Sequence, residues 1–408
     1  MKKSSLSTFF RKNEVVHKKK TRILMLYDFP LKGGGSGAYV KYLSLRLQEK
    51  GYEVAIALPD KQKVHKDIKQ YYLKLPQIPV FISRPGLEGA KKYSQLTNKE
   101  ITDLYFALLK GTINAVEDFK PDIINVHHAM LNSWVARYMR SLYNIKFVVT
   151  SHGSCLNAIA QDKRYFRLTR DALRAANAIT VVSGDTKAKL IHMFHSPEIS
   201  NKIRTIPGGV KWSLFSERKT KASLAELAHK YHIQKDRVVL FSGRLISEKG
   251  VEYLVKAAPK IRGQIVIAGD GPRKENLAAL IASKKIQNVN FLGYIDHELL
   301  IKIYYLADVF VSPSVWDDPM PLTIVEAMAA GLPVVVTRRG GIPLAVKDNY
   351  NGFFVKLRNP EDIVEKVNIL LDNKELRKKM GERGRKIVKE KFIWTKIAER
   401  FHNLFKII

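Results

Sequence analysis

Residues 309–337 read VFVSPSVWDDPMPLTIVEAMAAGLPVVVT, in which two short apolar runs enclose a longer one. The outer runs, at 309–312 and 334–337, have the length of buried strands, and the middle run has the length of a helix. A strand, a helix and a strand in this order predict a parallel sheet that is covered by helices. The middle run contains one carboxylate, Glu326, whose burial is unfavourable unless hydrogen-bond donors reach it. This residue is therefore a candidate for binding a ligand.

The same alternation of strands and helices continues on the N-terminal side of this stretch. The apolar run RILMLYD (22–28) is followed by the glycine loop LKGGGSG (31–37), by apolar residues at helical spacing, and by the strand EVAIALP (53–59). A second start, RVVLFSGRLISEKG (237–250), repeats the strand and the loop. The sequence thus predicts the α/β class, with two doubly wound Rossmann-like domains and a cleft between them.

We predict four parts along the chain: a basic arm at 1–20, a Rossmann-like domain at 21–207, a second one at 208–388, and a helix at 389–408 that packs back across the junction. The arm contains seven Lys or Arg residues, which fits a solvated tail as well as a segment that touches a membrane. Residues 61–97 are irregular and rich in Lys and Tyr, as expected of a surface excursion.

Length and composition agree with two folded domains. The chain has 408 residues, 46% of them hydrophobic, so it can bury two cores and is not disordered as a whole. Its net charge of +32 implies an anionic partner, for which nucleic acid, a membrane surface and a phosphorylated ligand all qualify. The single cysteine, Cys155, and the lack of a signal peptide or of an apolar run of about 18 residues predict a soluble, cytoplasmic protein.

Parallel sheets bind ligands beyond the carboxyl ends of their strands, and the first half offers two candidates there. In the glycine loop, Gly34 and Gly35 let the backbone approach a ligand, and the next helix offers N–H groups to a phosphate. The loop lacks the spacing of a dinucleotide fingerprint, and a flexible turn also explains it. His152 ends the run KFVVTSHG beside the cleft, where a structural and a catalytic role both fit. No spacing of metal ligands is present, so no metal is expected.

The second half contributes cations and turns after its strands. Arg244 and Lys249 follow the strand RVVLFS, close to the start of a helix. An anion such as a diphosphate would relieve the repulsion between these cations and the helix dipole, whereas solvated surface charge is the alternative. Gly271 in GDGPRKE permits close approach and Tyr294 in GYID could contact a base, although ordinary turns explain both motifs.

The stretch around Glu326 carries the strongest pattern of candidate residues. Leu322 and Thr323 offer backbone N–H groups at a helix start, which suits a phosphate. Glu326 is suited to the hydroxyls of a ribose, and Asp318, eight positions earlier, could reach the hydroxyls of a sugar. The alternative for Glu326 is a core carboxylate that pairs with an arginine.

Together these residues resemble the retaining glycosyltransferases of the GT-B fold, in the large family 4 of sugar transferases (glycosyl transferases group 1). The resemblance extends from Arg22 to the last helix and is specific in the second half, where SGRLISEKG, IAGDGP, VSPS–EAMAAGLPVVVT and RGGI–NGFFV occur in the family's order. The glycine loop, TSHG, ANAITVVS and IPGGV are weaker matches. The resemblance implies a metal-independent, retaining hexosyltransferase. It would move a hexose from a nucleotide-diphosphate sugar (a UDP- or GDP-sugar) to a hydroxyl acceptor, without a cofactor.

The resemblance also implies roles for individual residues. Arg244 and Lys249 would bind the diphosphate of the donor, and Glu326 would hold its ribose. Gly35 would contact the phosphate or the sugar from the opposite domain, on the acceptor side. His152 would support the sugar or the developing charge at the reaction centre.

The sequence departs from the family's pattern at several positions near this site. Asp318, which would bind the transferred sugar, stands where the family usually has Glu. Residues 208–210 read Gly-Gly-Val in place of Asn-Gly-Val, Lys211 replaces a common acid, and Leu344 stands where Glu is frequent. These departures leave the diphosphate contacts in place and affect the choice of donor.

Other functions fit parts of the pattern. A phosphorylase or a sugar-nucleotide epimerase could use the same fold, although an epimerase would need catalytic groups near the sugar in both domains. A basic nucleic-acid-binding protein would explain the charge, but the sequence contains no RRM, KH, helix-turn-helix or zinc-finger signature, so no nucleic-acid partner is predicted.

The acceptor is predicted from the charge of the first domain alone. Basic residues three and four positions apart share one helix face, here Lys163, Arg167, Arg170 and Arg174. They favour a peripheral protein on the anionic cytoplasmic face of a membrane, acting on a lipid-linked or polysaccharide precursor of the cell envelope. A solvated face explains the same charges equally well.

Overall fold

A computed structural model describes residues 20–31, 34–81, 87, 89–216, 220–234 and 236–408, and shows two parallel sheets. Residues 1–19 of the predicted arm at 1–20 therefore lie outside the described residues. Gly33 of the glycine loop lies outside them as well. The predicted α/β class with two doubly wound domains is confirmed. The domain boundaries stay predictions.

The first sheet has seven strands, whose residues are nearly all buried in the centre because helices cover both faces. The strands are β1 (Arg22–Leu26), β2 (Glu53–Leu58), β3 (Lys69–Tyr72), β4 (Ile123–His127), β5 (Lys146–Ser151), β6 (Ala178–Val181) and β7 (Ile203–Thr205). Their order across the sheet is β3-β2-β1-β4-β5-β6-β7, with parallel pairing throughout. Strand β3 lies within 61–97, where no strand was predicted because the sequence KQYY is polar. Such a sequence can form a strand here because β3 is at the edge of the sheet.

The helices of the first domain connect these strands. They are α1 (Gly35–Glu49), α2 (Asn98–Phe119), α3 (Leu131–Tyr143), α4 (Ser154–Gln161), α5 (Phe166–Ala175), α6 (Gly184–Phe194) and α7 (Pro197–Asn201), with short 3-10 turns at Tyr93–Gln95 and Lys163–Tyr165. Helix α2 begins with a capping box in which Thr97 and Glu100 satisfy each other's backbone N–H groups. Helix α3 packs between α2 and α5.

The second sheet repeats this architecture with six strands in the order β10-β9-β8-β11-β12-β13. The strands are β8 (Val238–Ser242), β9 (Gln264–Ala268), β10 (Val289–Gly293), β11 (Val309–Ser312), β12 (Val334–Thr337) and β13 (Gly352–Val355). The helices are α8 (Ser213–Ser216), α9 (Lys221–Lys230), α10 (Val251–Ala257), α11 (Lys274–Ser283), α12 (His297–Tyr304), α13 (Leu322–Ala330), α14 (Pro360–Asp372), α15 (Lys374–Lys391) and α16 (Trp394–Ile407). Three 3-10 turns lie at Ser247–Lys249, Ala258–Lys260 and Ile342–Leu344.

The C-terminal segment is broken at Phe392 and Ile393, so the single helix predicted for 389–408 is wrong in its extent. Helix α15 ends there and α16 begins, because the backbone at this point pairs with Val210 at the junction of the domains. The N–H of Val210 donates to the carbonyl of Phe392 over 2.8 Å, and the N–H of Trp394 donates to the carbonyl of Val210 over 3.3 Å. Helix α16 then packs on α1 of the first domain, where the Trp394 ring lies 5.2 Å from that of Tyr39.

We expect α16 to contribute to the stability of the first-domain core. Phe401 of α16 is completely buried in that core, so Phe401→Ala should lower the free energy of unfolding by about 3–5 kcal/mol. Ile407→Ala on the same helix removes a side chain that is 74% exposed and should change stability by less than about 0.5 kcal/mol. Urea unfolding of both variants measures the difference. Equal free energies of unfolding in the two variants would contradict the packing of Phe401 in the first-domain core.

Candidate active site in the interdomain cleft

The N termini of two helices from different domains lie close together in the cleft. Helix α1 begins at Gly35 and α13 begins at Leu322; neither start is capped by a side chain or has an acid in its first turn. A Cβ atom on Gly35 would lie 3.8 Å from Cδ1 of Leu322, and one on Gly208 would lie 3.0 Å from Cδ2 of Leu322. Because helix N termini carry partial positive charge and unpaired N–H groups, this arrangement suits an anion.

Two cations lie in the loop that follows β8, and one of them contacts a residue four positions before the start of α13. Lys249 donates through Nζ to Oδ2 of Asp318, and their side chains are only 17% and 8% exposed. Arg244 is half-buried in the same loop. Gly271, from the loop after β9, has φ +155°, and a Cβ there would lie 2.7 Å from the carbonyl oxygen of Leu245. This glycine therefore lets two loops of the second domain pack together.

Glu326 is held by helix α12. Its Oε1 lies 2.8 Å from Nε2 of His297, and its Oε2 accepts a hydrogen bond of 3.1 Å from the hydroxyl of Tyr304. The hydrogen bond to Glu326 raises the pKa of His297 above its ordinary value. The carboxylate thus pairs with a histidine and a tyrosine, and no arginine among the described residues pairs with it. Tyr294, which precedes α12, is 72% exposed.

Sequence reasoning missed His297 and Tyr304 as partners of Glu326. Their spacing was the available signal, because residues seven positions apart lie on one face of a helix. That face of α12 packs against α13. Only the packing of these two helices shows which carboxylate the pair reaches.

His152 is partly buried and belongs to a cluster of rings at the carboxyl ends of β4 and β5. Its Nε2 lies 3.0 Å from Nδ1 of His127, and the ring of Tyr39 meets it edge-on at 5.1 Å. Burial lowers the pKa of His152 to about 3, and burial together with His152 holds the pKa of His127 well below its ordinary value. Both rings are therefore neutral at physiological pH, and one donates the shared proton while the other accepts it.

The loop that carries Asp318 touches both domains. Oδ2 of Asp317 lies 2.8 Å from Nζ of Lys189 in the first domain, and its Oδ1 lies 2.9 Å from Arg339 in the second. Gly153, with φ +92°, lies so close to this loop that a Cβ would be 2.5 Å from Cγ of Pro319. The position of this loop is therefore set jointly by the two domains.

All the predicted site residues follow a parallel strand or lie in the helix after it. They are Gly34, Gly35, His152, Arg244, Lys249, Gly271, Tyr294, Asp318, Leu322, Thr323 and Glu326. The structure brings Gly35 to Leu322 and Lys249 to Asp318, whereas Tyr294 points into solvent. Their functional roles stay predictions. Within the described ranges, no group of three His, Cys, Asp or Glu residues is arranged to hold a metal ion, and no helix is long and apolar enough to cross a membrane.

Known proteins share this architecture. Residues 33–211 match the family described as Glycosyltransferase Family 4, and residues 225–387 match Glycosyl transferases group 1. An uncharacterized glycosyltransferase of Methanocaldococcus jannaschii is 31% identical over 300 residues, covering 71% of this chain and 76% of that protein.

Two solved structures illustrate the likeness in fold. Sucrose-phosphate synthase from Thermosynechococcus elongatus is similar with a TM-score of 0.78 at 22% identity, covering 95% of this chain and 98% of the other. HepE of Anabaena, solved in complex with UDP, has a TM-score of 0.77 at 16% identity, with coverages of 95% and 100%. The chain belongs to the group 1 glycosyltransferases of the family 4 type, with the GT-B fold, and the predicted resemblance is confirmed.

The lowered pKa of His152 should reduce the free energy of unfolding in acid. The unfolded chain binds a proton at this residue below its ordinary pKa of 6.5, whereas the folded protein binds it only near pH 3, so stability falls as the pH drops between these values. In His152→Gln, the loss of unfolding free energy between pH 7 and pH 5 should be smaller than in the parent by about 2 kcal/mol.

Urea unfolding at both pH values measures this difference. The matched control is His192→Gln, which alters an exposed histidine of α6 and should keep the parent's pH dependence. A parent-like dependence in His152→Gln would show that His152 titrates normally in the folded protein.

Proposed function

We propose that this glycosyltransferase moves a hexose, with retention of configuration, from a nucleotide-diphosphate sugar to a hydroxyl acceptor. The observation that carries the proposal is the meeting of two uncapped helix N termini, at Gly35 and Leu322, next to the ion pair of Lys249 with Asp318. A departing diphosphate accumulates negative charge, and preorganised positive groups stabilise it. The UDP bound by Anabaena HepE supports a nucleotide donor.

Glu326 is suited to hold the ribose of the donor. Its side chain is 12% exposed, and each of its oxygens already has one partner, His297 or Tyr304. A carboxylate has about four lone-pair sites, so it can accept further hydrogen bonds from ribose hydroxyls while these partners hold it in place. Helix α12 thus orients the carboxylate, and Glu326 binds the sugar ring next to the base.

Asp318 is proposed to bind the hexose and Lys249 the diphosphate. Their ion pair fixes the two side chains against each other, with the carboxylate accepting from sugar hydroxyls and the ammonium group donating to phosphate. The loop of Asp318 is held by Lys189 of the first domain through Asp317, so closure of the domains places it. The shorter side chain of Asp, compared with Glu, affects which hexose fits.

His152 is proposed to act at the sugar as a neutral hydrogen-bonding group. Because burial keeps its ring uncharged, it cannot serve as a cationic acid at neutral pH. The acceptor hydroxyl attacks the anomeric carbon from the face that the diphosphate leaves. As the new bond to the acceptor oxygen forms and the bond to the diphosphate breaks, the hydroxyl proton passes to the departing phosphate oxygen.

The proposed acceptor is the hydroxyl of a lipid-linked or polysaccharide precursor. This proposal rests on the excess of Lys and Arg in the chain, which suits an anionic membrane surface on the cytoplasmic side. A phosphorylase or an epimerase on the same fold would also use the diphosphate site. An epimerase would change the donor without any acceptor, so incubation of the protein with the nucleotide sugar alone distinguishes it from a transferase.

Ligand-induced thermal stabilisation tests the diphosphate site. One of the UDP-, GDP- and ADP-sugars should raise the melting temperature of the protein, because a ligand that binds only the folded state stabilises it. Lys249→Ala and Arg244→Ala should each remove a charge-assisted contact of about 1.5–3 kcal/mol and weaken donor binding about 10- to 100-fold. Lys256→Ala changes an exposed lysine of α10 outside the cleft and should bind the donor as the parent does. Parent-like affinity in both cleft variants would refute the assignment.

Chelation of metal ions tests the role of the cations and helix ends. If these groups stabilise the departing diphosphate by themselves, EDTA should leave the transfer rate unchanged in a purified, metal-stripped preparation. The rate is measured as release of nucleoside diphosphate with and without EDTA. A rate that falls on chelation and returns with added Mg²⁺ or Mn²⁺ would contradict metal independence.

A further inference from the structure

Large apolar side chains are exposed on three neighbouring helices of the first domain. Phe106 on α2 is 60% exposed, Leu142 on α3 is 62% exposed and Leu168 on α5 is 50% exposed. Tyr138 and Tyr143 of α3 are also exposed. Because α3 packs between α2 and α5, these side chains lie on one side of the domain. We call this surface the α2–α3–α5 face.

A groove of about 580 Å³ runs through the α2–α3–α5 face. Tyr105, Trp134, Tyr138 and Leu168 line it with apolar and aromatic surface. The exposed apolar residues continue this surface beyond the groove: the ring of Phe106 lies 6.1 Å from that of Tyr105, and Leu142 follows Tyr138 by one helical turn. Apolar patches of this kind on a protein surface mark sites of contact with another molecule or with a membrane.

Cations lie in and next to the groove. Arg137 lines it, and Lys163 and Arg167 directly precede its lining residues Arg164 and Leu168 in the sequence. Arg137, Lys163 and Arg167 are exposed, and in the described part of the chain no carboxylate lies within ion-pair distance of any of them. Arg164 also lines the groove but pairs with Asp162, and the acid Asp171 lies in the lining too. The face is therefore positive on balance.

Only part of the basic stripe predicted on α5 contributes to this charge. Arg174 pairs with Glu198 over 2.6 Å. Arg170 is half-buried, and its guanidinium group lies over the ring of Phe166, at 5.8 Å from the ring centre. Lys163 and Arg167 remain as solvent-exposed cations of the stripe.

We propose that the α2–α3–α5 face binds to an anionic lipid surface. Apolar and aromatic side chains next to unpaired Arg and Lys are the combination that an interface of lipid headgroups and acyl chains favours. The apolar side chains enter the boundary of the acyl region, the long stems of Arg and Lys lie along it, and their charged ends reach phosphate groups. Exposed apolar residues alone would serve many partners, and the surrounding cations select an anionic one.

The α2–α3–α5 face adjoins the first-domain wall of the cleft. Helix α3 starts close after His127, and the side-chain amide of Asn132 donates to the carbonyl of His127 over 3.1 Å. From the groove, the ring of Trp134 lies 6.2 Å from that of Tyr165, which lies 5.8 Å from that of Tyr93. The face would therefore hold the cleft near a lipid-linked acceptor, an inference that rests on the proposed function.

Flotation with vesicles tests the face in the full chain. Vesicles of equal parts phosphatidylcholine and phosphatidylglycerol should carry the protein, and vesicles of phosphatidylcholine alone should carry much less. Arg137→Gln/Arg167→Gln should weaken binding about thirtyfold, because each cation near an anionic surface contributes about fivefold. Lys378→Gln/Lys379→Gln, two exposed lysines of α15, changes the net charge equally and should bind as the parent does.

A second pair of variants tests the apolar part. Phe106→Ser/Leu142→Ser should also weaken binding to the anionic vesicles, whereas Leu357→Ser/Ile369→Ser, which changes exposed residues of the second domain, should not. Melting temperatures close to the parent's show that each variant is folded. Retention of the thermal shift with the donor shows that the cleft is intact.

Several outcomes would overturn the proposal. The first is that anionic vesicles do not carry the protein, and the second is that the α15 control loses as much binding as Arg137→Gln/Arg167→Gln. The third is that replacing the Lys and Arg residues of 1–19 by Gln in the full chain abolishes binding, while the variants of the face bind as the parent does. A shift of the parent from dimer to monomer on substitution of the face, with vesicle binding unchanged, would assign the face to a second copy of this chain. Flotation needs no sugar donor, so its failure is distinct from failure of the proposed transfer reaction.

Discussion

The opposition of two helix N termini is the constraint on which the rest of this structure depends. In a parallel sheet every strand delivers the chain to the same edge, so the helices that follow begin there with their positive ends. Two such sheets with a cleft between them place Gly35 of one domain against Leu322 of the other. Neither helix start has a side-chain cap. An anion between two positive helix ends would stabilise this arrangement, and this is the basis on which we propose a diphosphate there.

Several contacts hold the two domains in this arrangement. Asp317 joins Lys189 to Arg339 across the cleft, and Gly153 permits the loop to approach closely. In addition, α16 leaves the second domain and packs on α1, close to the helix start that lines the cleft. The ion pairs are partly exposed and contribute little to stability, so the buried packing of α16 contributes more to holding the domains together.

The buried polar groups divide into two kinds according to their partners. Glu326 lies between His297 and Tyr304, and Asp318 lies on Lys249, so these carboxylates are held in fixed positions but can accept further hydrogen bonds. His152 and His127 are instead held neutral by burial. The candidate site therefore combines carboxylates and a lysine in fixed positions in the second domain with an uncharged pair of histidines in the first.

Local patterns in the chain predicted the two domains, the order of strands and helices, and the loops and helices after the strands in which the candidate residues lie, because apolar periodicity and glycine positions act over a few residues. They did not predict the edge strand β3, the break at Phe392, or the partners of Glu326. Each of these depends on groups far away in the chain: β3 needs β2 beside it, the break needs the backbone of Val210, and Glu326 needs helix α12. Contacts between distant segments follow from packing in three dimensions, so only the folded molecule could show them.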